Sequence, residues 1–327
     1  MHRTVDWDGD AIIAIDQCAL PHEYRQLRLT DVDALIDAIA RLAIRGAPAL
    51  GGAGALGVAL LAHHKDPRVR QEAERLASAR PTAVNLRWGV ERALSRLDEG
   101  PDAVLAEALA VLDEDEAANR AASGHAADLI RSLCPRRPLR LLTHCNAGRL
   151  ATIGWGSALG VVRHLATTGE VEYVIADETR PLLQGARLTA FELAEMGVPY
   201  RICPDSAAAS ALAGGLVDAV IVGADRIAGN GDVANKVGTY PVALAAARHG
   251  VPFVVVAPSS TLDVSLPSGD AIVIEERPAS EVLSFRGIGI APDGASAYNP
   301  AFDVTPSDLV TAIVTQDGVW SPPGRSS

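Results

Sequence analysis

From about residue 139 onward, continuous apolar runs of strand length alternate with helical patterns, and no other feature of this 327-residue chain constrains its fold as strongly. The runs are LRLLTH (139–144), VEYVIAD (171–177), PYRICPD (199–205), VDAVIVGAD (217–225) and PFVVVAPSS (252–260). Between them lie stretches of helical periodicity such as LQGARLTAFELAEMG and YPVALAAARHG. A strand that is apolar at nearly every position has both faces buried, and strands joined through helices run parallel. The alternation therefore predicts a parallel sheet covered by helices on both sides. Three of the runs lead into polar clusters: His144-Cys145-Asn146, Asp177-Glu178-Thr179 and Asp225-Arg226. Open α/β sheets bind ligands outside the carboxyl ends of their strands, so a site is expected there.

The preceding part of the chain has a different texture. TVDWDGDAIIAIDQCALP predicts a hairpin with an Asp-Gly turn near residues 8 and 9. TDVDALIDAIARLAIRG predicts a helix with Thr30 or Asp31 as N-cap and Gly46 near its end. From Ala53 to about Leu133 the pattern is mostly helical, broken at KDP, ARP and EGP. The fold class is therefore read as α/β. A largely helical N-terminal domain with a small β-hairpin region (1–133) precedes a parallel-sheet α/β domain (134–327) that carries the site. The one low-complexity stretch is the short polar tail SPPGRSS.

With 48% apolar but only 4% aromatic residues, the core must be built from aliphatic side chains and alanine. The chain has 29 basic and 40 acidic side chains, a formal net charge of −11, and no Lys/Arg run. That balance argues against nucleic acid or an anionic membrane as partner, and an anionic small molecule would need a local basic cluster. The start lacks the basic and apolar regions of a signal peptide, and no apolar stretch is long enough to cross a bilayer. Cys18, Cys134, Cys145 and Cys203 lie far apart with no C-x-x-C pair, which argues against a zinc site and a disulfide framework. A reduced, cytoplasmic protein is expected. Walker A, H-E-x-x-H and G-x-S-x-G patterns are all missing, so ATP hydrolysis, zinc proteolysis and serine esterase chemistry lose support.

GGAGALG contains a literal G-x-G-x-x-G at Gly52, Gly54 and Gly57, but it follows no strand and sits among helices. Close helix packing accounts for it better than a dinucleotide. Arg45-Gly46 joins a guanidinium to the backbone N–H groups that open the next helix, which suits a phosphate as well as a plain helix cap. Cys145 is a poor metal ligand, because His144 beside it rarely converges on the same ion. A buried structural thiol remains open, and so does a thiol activated by its loop and the helix start at 154–160, conditions that lower a thiol pKa. Asp225 ends a strand that should be dry, so it is paired with Arg226 at the surface, or a helix cap, or a general acid whose pKa burial raises. Asn235 and Lys236 lie on a polar turn able to hold an anionic oxygen, and Asp177 with Glu178 is read as structural, given the nearby Arg180.

Six segments in order, IRGAPALG, RPTAVNLRW, THCNAGRLATIGWGSALG, DETRPLLQGARLTAFEL, VGADRIAGNGDVANKVGTY and YNPAFDVTP, resemble the signatures of the methylthioribose-1-phosphate isomerase family from about Asp16 to Pro306. The resemblance implies conversion of a 5-substituted aldose 1-phosphate into the matching ketose 1-phosphate, a step of methionine salvage. It assigns the catalytic thiol to Cys145 and the catalytic acid to Asp225. Substrate contacts fall on Arg45, Gly46, Ala47, Arg80, Gln184, Asn235 and Lys236. A homodimer whose C-terminal domain (134–327) is Rossmann-like, with no metal and no cofactor, is implied. Asp225 would protonate the ring oxygen, and Cys145 would act either as a base at C2 or by shaping a direct hydride transfer from C2 to C1. Gly148, Gly154 and Gly156 would let the loop pass close to the sugar. Three departures are the lack of an aromatic residue after RGAPA, Trp155 for a common tyrosine, and Phe191 for a tryptophan. These positions bear on the 5-substituent, so 5-deoxyribose 1-phosphate and ribose 1,5-bisphosphate stand as alternative substrates. Rival classes are a non-catalytic regulatory subunit of a translation-initiation exchange factor, which shares the fold, and a Rossmann-type oxidoreductase.

Overall fold

The computed structural model describes residues 3–80 and 83–322, so Pro81 and Thr82 of the RPTAVN stretch and most of the polar tail lie outside the described residues. Gly9 and Asp10 form the two-residue turn that the Asp-Gly pair predicts, joining β1 (Val5–Asp8) to β2 (Ala11–Ile15). A third antiparallel strand, β3 (Gln26–Leu29), pairs with β2 and was not anticipated from its mostly polar sequence. Helix α1 (Val32–Ala40) is capped by Asp31, whose carboxylate accepts the Ala34 N–H at 2.8 Å. It stops well before Gly46, contrary to expectation. Leu42 turns into the left-handed region at φ 64°, and the N–H groups of Ala43 and Ile44 both return to the Ala38 carbonyl. Gly46 instead opens the next helix, α2 (Ala47–His63), which begins earlier than Ala53. Helices α3 (Val69–Ala77), α4 (Val84–Leu94) and α5 (Pro101–Leu133) follow, separated by the KDP, ARP and EGP breaks.

From Ala49 to Ala62, every residue of α2 is buried, so this helix is the axis of the helical region. Its glycines admit the neighbouring helix. A Cβ on Gly89 of α4 would overlap the Gly51 carbonyl oxygen, and one on Gly54 would lie 2.6 Å from the Leu86 carbonyl oxygen. GGAGALG is thus a helix-packing surface, as its sequence context predicts.

The expected strands β4 (Leu139–Thr143), β5 (Val171–Asp177), β6 (Tyr200–Cys203), β7 (Ala219–Val222) and β10 (Phe253–Val256) all form and run parallel. Two further strands complete this sheet at one edge: β15 (Ala312–Thr315), parallel to β10, and β16 (Gly318–Trp320), antiparallel to β15. The order across the sheet is β16-β15-β10-β7-β4-β5-β6. Counting parallel strands along the chain, this is the doubly wound order 3-2-1-4-5-6, and winding reverses between β4 and β7. Leu141, Val174, Ile221 and Val254 face α5 and helix α6 (Ala158–Thr167) on one side. Leu142, Ile175, Val220 and Val255 face helices α8 (Ala208–Ala213) and α9 (Thr239–Arg248) on the other. A short helix, α7 (Ala190–Glu195), follows a π-turn at Gly185–Thr189.

Between β7 and β15 the chain also builds a smaller sheet in the order β11-β8-β9-β14 that the apolar runs did not foretell. Its strands are β8 (Arg226–Ala228), β9 (Val233–Lys236), β11 (Leu262–Asp263) and β14 (Phe302–Thr305). Helix α10 (Ser280–Leu283) and the hairpin β12 (Ser284–Phe285) and β13 (Ile288–Gly289) lie in the excursion before β14. Among the described residues, no helix is long and apolar enough to cross a membrane.

The closeness of α2 and α4 yields a stability prediction. Gly89→Ala should lower unfolding free energy by about 1–3 kcal/mol, the usual cost of overpacking, read as a lower urea midpoint at unchanged slope. An unchanged midpoint would mean that the helices separate freely.

Candidate active site

The nine residues to which the resemblance assigns catalytic or substrate contacts line one cavity, at the carboxyl ends of β4 and β7 where the sheet reverses its winding. The helical region supplies Arg45, Gly46, Ala47 and Arg80, while the sheet region supplies Cys145, Gln184, Asp225, Asn235 and Lys236. Leu42, Leu182, Ala257, Pro258 and Phe302 give the cavity an apolar portion.

Gly46 is the N-cap of α2 at φ 95°, a conformation that suits glycine, and a Cβ there would come within 2.6 Å of Ala151 Cα. The first backbone N–H groups of α2 therefore open beside the cavity, where the helix dipole favours an anion. Next to them, Arg45 donates to Gln17 Oε1 at 2.9 Å and to the Asn146 side-chain oxygen. Its burial disfavours the charged guanidinium, and its hydrogen-bond partners are all neutral. Lys236 donates to the Ala301 carbonyl at 2.7 Å and lies over the Phe302 ring, and desolvation likewise lowers its pKa. Arg80 differs, because its guanidinium is already paired with Glu275 at 3.0 Å, and Glu275 is also held by Arg277. Two cations and a helix N-terminus are thus left to meet an anion, while a third cation arrives with its own counter-charge.

Cys145 is 8% exposed and sits at φ 62°, an uncommon backbone for a residue with a Cβ. Its N–H donates to Thr179 Oγ1 at 2.9 Å, and its carbonyl accepts from Thr189 Oγ1 at 2.6 Å. Such over-determined strain is common at functional sites. The expectation of a lowered thiol pKa does not hold. Burial pushes the Cys145 thiol up, and Arg45 and Lys236 offset this only in part. Asp225 moves the same way. Desolvation raises its carboxyl pKa against the pull of Lys236, Arg80 and Arg45. Arg226 pairs with Asp263 at 3.8 Å. The cavity therefore favours an uncharged thiol and an uncharged carboxyl group.

Gln184 is 5% exposed, and its Oε1 has no hydrogen-bond partner, so a ligand hydroxyl in the cavity would find an acceptor there. Asn235 is fixed by donating to Thr239 Oγ1 at 3.0 Å.

Several readings need correction. Gly148, Gly154 and Gly156 do not line the cavity. A side chain on Gly148 would strike the Glu192 carboxylate and one on Gly154 would strike Glu116, so these glycines fold the loop upon its own supports. Trp155 and Phe191 also lie outside the cavity. Trp155 packs under Arg120 and Arg163, and Phe191 stacks on Tyr24. They cannot sort 5-substituents by direct contact. Asp177 is structural as expected, but its partner is His144 at 2.8 Å, since Arg180 donates to the carbonyls of Pro181 and Val282.

Residues missed in the sequence include Asn146, Glu192 and Arg277. Buried Glu192 accepts from Asn146 Nδ2 and the Arg149 N–H, both at 2.8 Å, so it orients the asparagine that holds Arg45. The available signal was a glutamate set between the apolar residues of FEL at the start of α7. Arg277 reaches the cavity from the excursion before β14, about which the sequence pattern says little. Among the described residues, His144, Asp177 and Asp205 are the group of His, Cys and carboxylate donors close enough to hold an ion, within 4.8 Å of one another. Their atoms are spent on internal bonds: Asp205 accepts the Thr179 and Arg180 N–H groups, each at 2.7 Å, and His144 is bonded at both nitrogens.

The state of the thiols can be read by alkylation. At pH 8 with iodoacetamide, exposed Cys18 should react about tenfold or more faster than buried Cys145, as measured by peptide mass mapping. Equal rates would contradict the shielding described here.

Comparison with known proteins follows the same lines. The family described as the Initiation factor 2 subunit family matches residues 43–322. A probable bifunctional methylthioribose-1-phosphate isomerase/methylthioribulose-1-phosphate dehydratase of Nocardia farcinica is 61% identical over 323 residues, covering 97% of this chain; the chain spans 58% of that longer relative's length. The crystal structure of 5-methylthioribose 1-phosphate isomerase from Pyrococcus horikoshii is similar at a TM-score of 0.90 and 41% identity, over 99% of this chain and 93% of that one. The structure of translation initiation factor eIF-2B, subunit delta, from A. fulgidus is similar at 0.88 and 43% identity, over 99% and 97% of the two chains.

Proposed function

The chain belongs to the Initiation factor 2 subunit family, and within it we propose that this protein is an aldose–ketose isomerase that converts 5-methylthioribose 1-phosphate to 5-methylthioribulose 1-phosphate in methionine salvage. The observation that carries this reading is the meeting of a buried thiol and a buried carboxyl group in one cavity with two cations that lack a carboxylate partner. An uncharged acid beside a seat for a phosphate is what a glycosyl phosphate needs for ring opening. A pure binding subunit has no use for a raised carboxyl pKa, and the isomerase names of the two relatives above support the same choice.

The phosphate takes its place at the N-terminus of α2 with Arg45 and Lys236, by charge-assisted hydrogen bonds. Arg80, Asn235 and Gln184 hold the remaining oxygens. Asp225 donates its proton to the ring oxygen as the bond from C1 to that oxygen breaks, leaving C1 electron-poor. The C2 hydrogen then moves to C1 with its electron pair, and the C2 hydroxyl returns a proton to the Asp225 carboxylate as the C2 carbonyl forms. No atom is gained or lost. Burial disfavours the thiolate that would have to act as base, so we place Cys145 against the migrating hydrogen as an uncharged wall that keeps water out. A homodimer, a cytoplasmic location and a division into a domain of residues 1–133 and a Rossmann-like one of 134–327 belong to the same reading. Exposed Val264, Val273, Ile288 and Tyr298 offer a second copy apolar area to cover, and the free cysteines suit a reducing compartment.

Supplying 5-methylthio-, 5-deoxy- and 5-phosphoribose 1-phosphates and following ketose formation tests the substrate directly. The methylthio compound should turn over best, and no turnover of any would defeat the isomerase reading. Asp225→Asn should lower kcat by about a hundredfold or more through loss of the acid, and Cys145→Ala by about a hundredfold through loss of the wall that positions the reacting carbons, each with the fold intact. Activity should persist to higher pH than an ordinary carboxylic acid permits and fall as pH rises through the raised Asp225 pKa, a limb absent from Asp225→Asn. Arg45→Ala and Lys236→Ala should raise KM more than Arg80→Ala, whose charge Glu275 already balances. In D2O, the product should carry little deuterium at C1.

A further inference from the structure

The residue before the thiol has no part in the scheme above, yet it is more completely enclosed than any residue that does. His144 is 1% exposed. Its Nδ1 lies 2.8 Å from Asp177 Oδ2, and its Nε2 lies 2.9 Å from the Val237 carbonyl oxygen. The Val237 carbonyl can only accept, so Nε2 carries a proton. Burial pushes the Asp177 carboxyl up, while His144 and Cys203 pull it down. Asp177 accepts from Cys203 at its other oxygen, an arrangement that suits a carboxylate, and against a carboxylate Nδ1 must also donate. An imidazolium satisfies both contacts. The surroundings agree, because the ring is faced by carboxylates from three elements. Asp177 ends β5, Asp205 follows β6, and Asp303 lies in β14 and accepts the Gly238 N–H at 2.7 Å. The other titratable group at this cluster, Cys203, donates to Asp177 Oδ1 at 3.4 Å, and burial and the nearby carboxylates push its thiol up to about 12.

The places joined by this ring matter more than its charge. His144 directly precedes Cys145 at the end of β4, and Val237 directly follows Lys236 at the end of β9. The ring therefore ties the backbone bearing the thiol to the backbone bearing a phosphate-seat cation. The fit leaves no room for adjustment, since a Cβ on Gly238 would stand 2.6 Å from His144 Cε1. Three stretches quoted from the sequence without a shared purpose, THCNAG, DETRP and NKVG, meet at this ring.

We propose that His144 is a positioning residue for the isomerase reaction: a doubly donating imidazolium that clasps the Cys145 end of β4 to the Lys236 end of β9 and so fixes the distance between thiol and phosphate seat. This inference rests on the isomerase reading above. Loss of the clasp shifts the thiol, which faces the hydrogen moving from C2 to C1, relative to the seat of the phosphate carried on C1, and displacement of about 1 Å in such pairs costs roughly a hundredfold in rate.

The charge state is read in the intact wild-type protein by nitrogen NMR of selectively labelled histidine. A buried ring with protons on both nitrogens at pH 7.5 is expected; one unprotonated nitrogen on that ring would overturn the proposal. Its effect is read in His144→Gln and, should that variant fail to fold, in Asp177→Asn. Either should lower kcat per folded molecule, with the folded fraction counted by circular dichroism and urea titration of the same sample, about tenfold or more while KM for the sugar phosphate changes less than threefold; a loss confined to the folded fraction would overturn the clasp. Turnover near wild type in a folded variant would overturn the clasp and leave the isomerase reading standing. Failure of the wild type to turn over any of the sugar phosphates would instead strike the underlying reading.

Discussion

The reversal of winding between β4 and β7 is the constraint on which the site depends. Neighbouring parallel strands whose crossovers leave in opposite directions leave a crevice at their carboxyl ends. Here the crevice receives Cys145 from one strand and Asp225 from the segment after the other. The N-terminus of α2 closes it from the helical region, with Gly46 pressed against the backbone of Ala151. Ala49 N–H bonds the Ala151 carbonyl at 3.3 Å, and Thr4 N–H bonds the Ile153 carbonyl at 2.8 Å. The loop after β4 is therefore held as firmly by the helices as by its own sheet.

This enclosure explains why titratable groups in the cavity behave unlike those on the surface. The chain as a whole is acidic, and most of its arginines are matched to carboxylates in exposed ion pairs of small energetic weight. Inside, the balance inverts: Arg45 and Lys236 meet only neutral partners, while the nearby acids, Asp225 and the Cys145 thiol, are driven toward their uncharged forms by the loss of water. The phosphate of the proposed substrate would supply the charge that these cations lack, and the acidic exterior does not oppose this because its field is screened within about 10 Å at ordinary salt.

Much of this was legible in the sequence, for identifiable reasons. The five apolar runs are strands because a parallel strand buried on both faces has almost no polar position to confuse the pattern. The nine cavity residues were found because they sit in long segments resembling a known family, and no spacing rule would have collected Arg45, Gln184 and Lys236. What stayed hidden depended on tertiary contact. The end of α1 turned on a left-handed Leu42, which no propensity favours. The smaller sheet is built from strands of two to four residues, too short to show a period. The glycines of the 148–156 loop looked like space for a substrate, yet they make room for Glu192 and Glu116, carboxylates far away in sequence. The thiol was misjudged because loop and helix-start arguments ignore the depth of burial.

The excursion from Glu275 to Phe302 differs in kind from the other walls of the cavity. It touches the cavity through Arg277, Ala301 and Phe302, and its stem is joined by paired backbone bonds, Arg277 N–H to Asn299 O and Ala301 N–H to Glu275 O. Between those anchors the segment is tied back at a few points; Glu281 pairs with Arg277, and the Val282 carbonyl accepts from Arg180 at 3.2 Å. This wall of the cavity is thus a flap hung from a two-bond stem, whereas the other walls are parts of a continuous sheet and a buried helix.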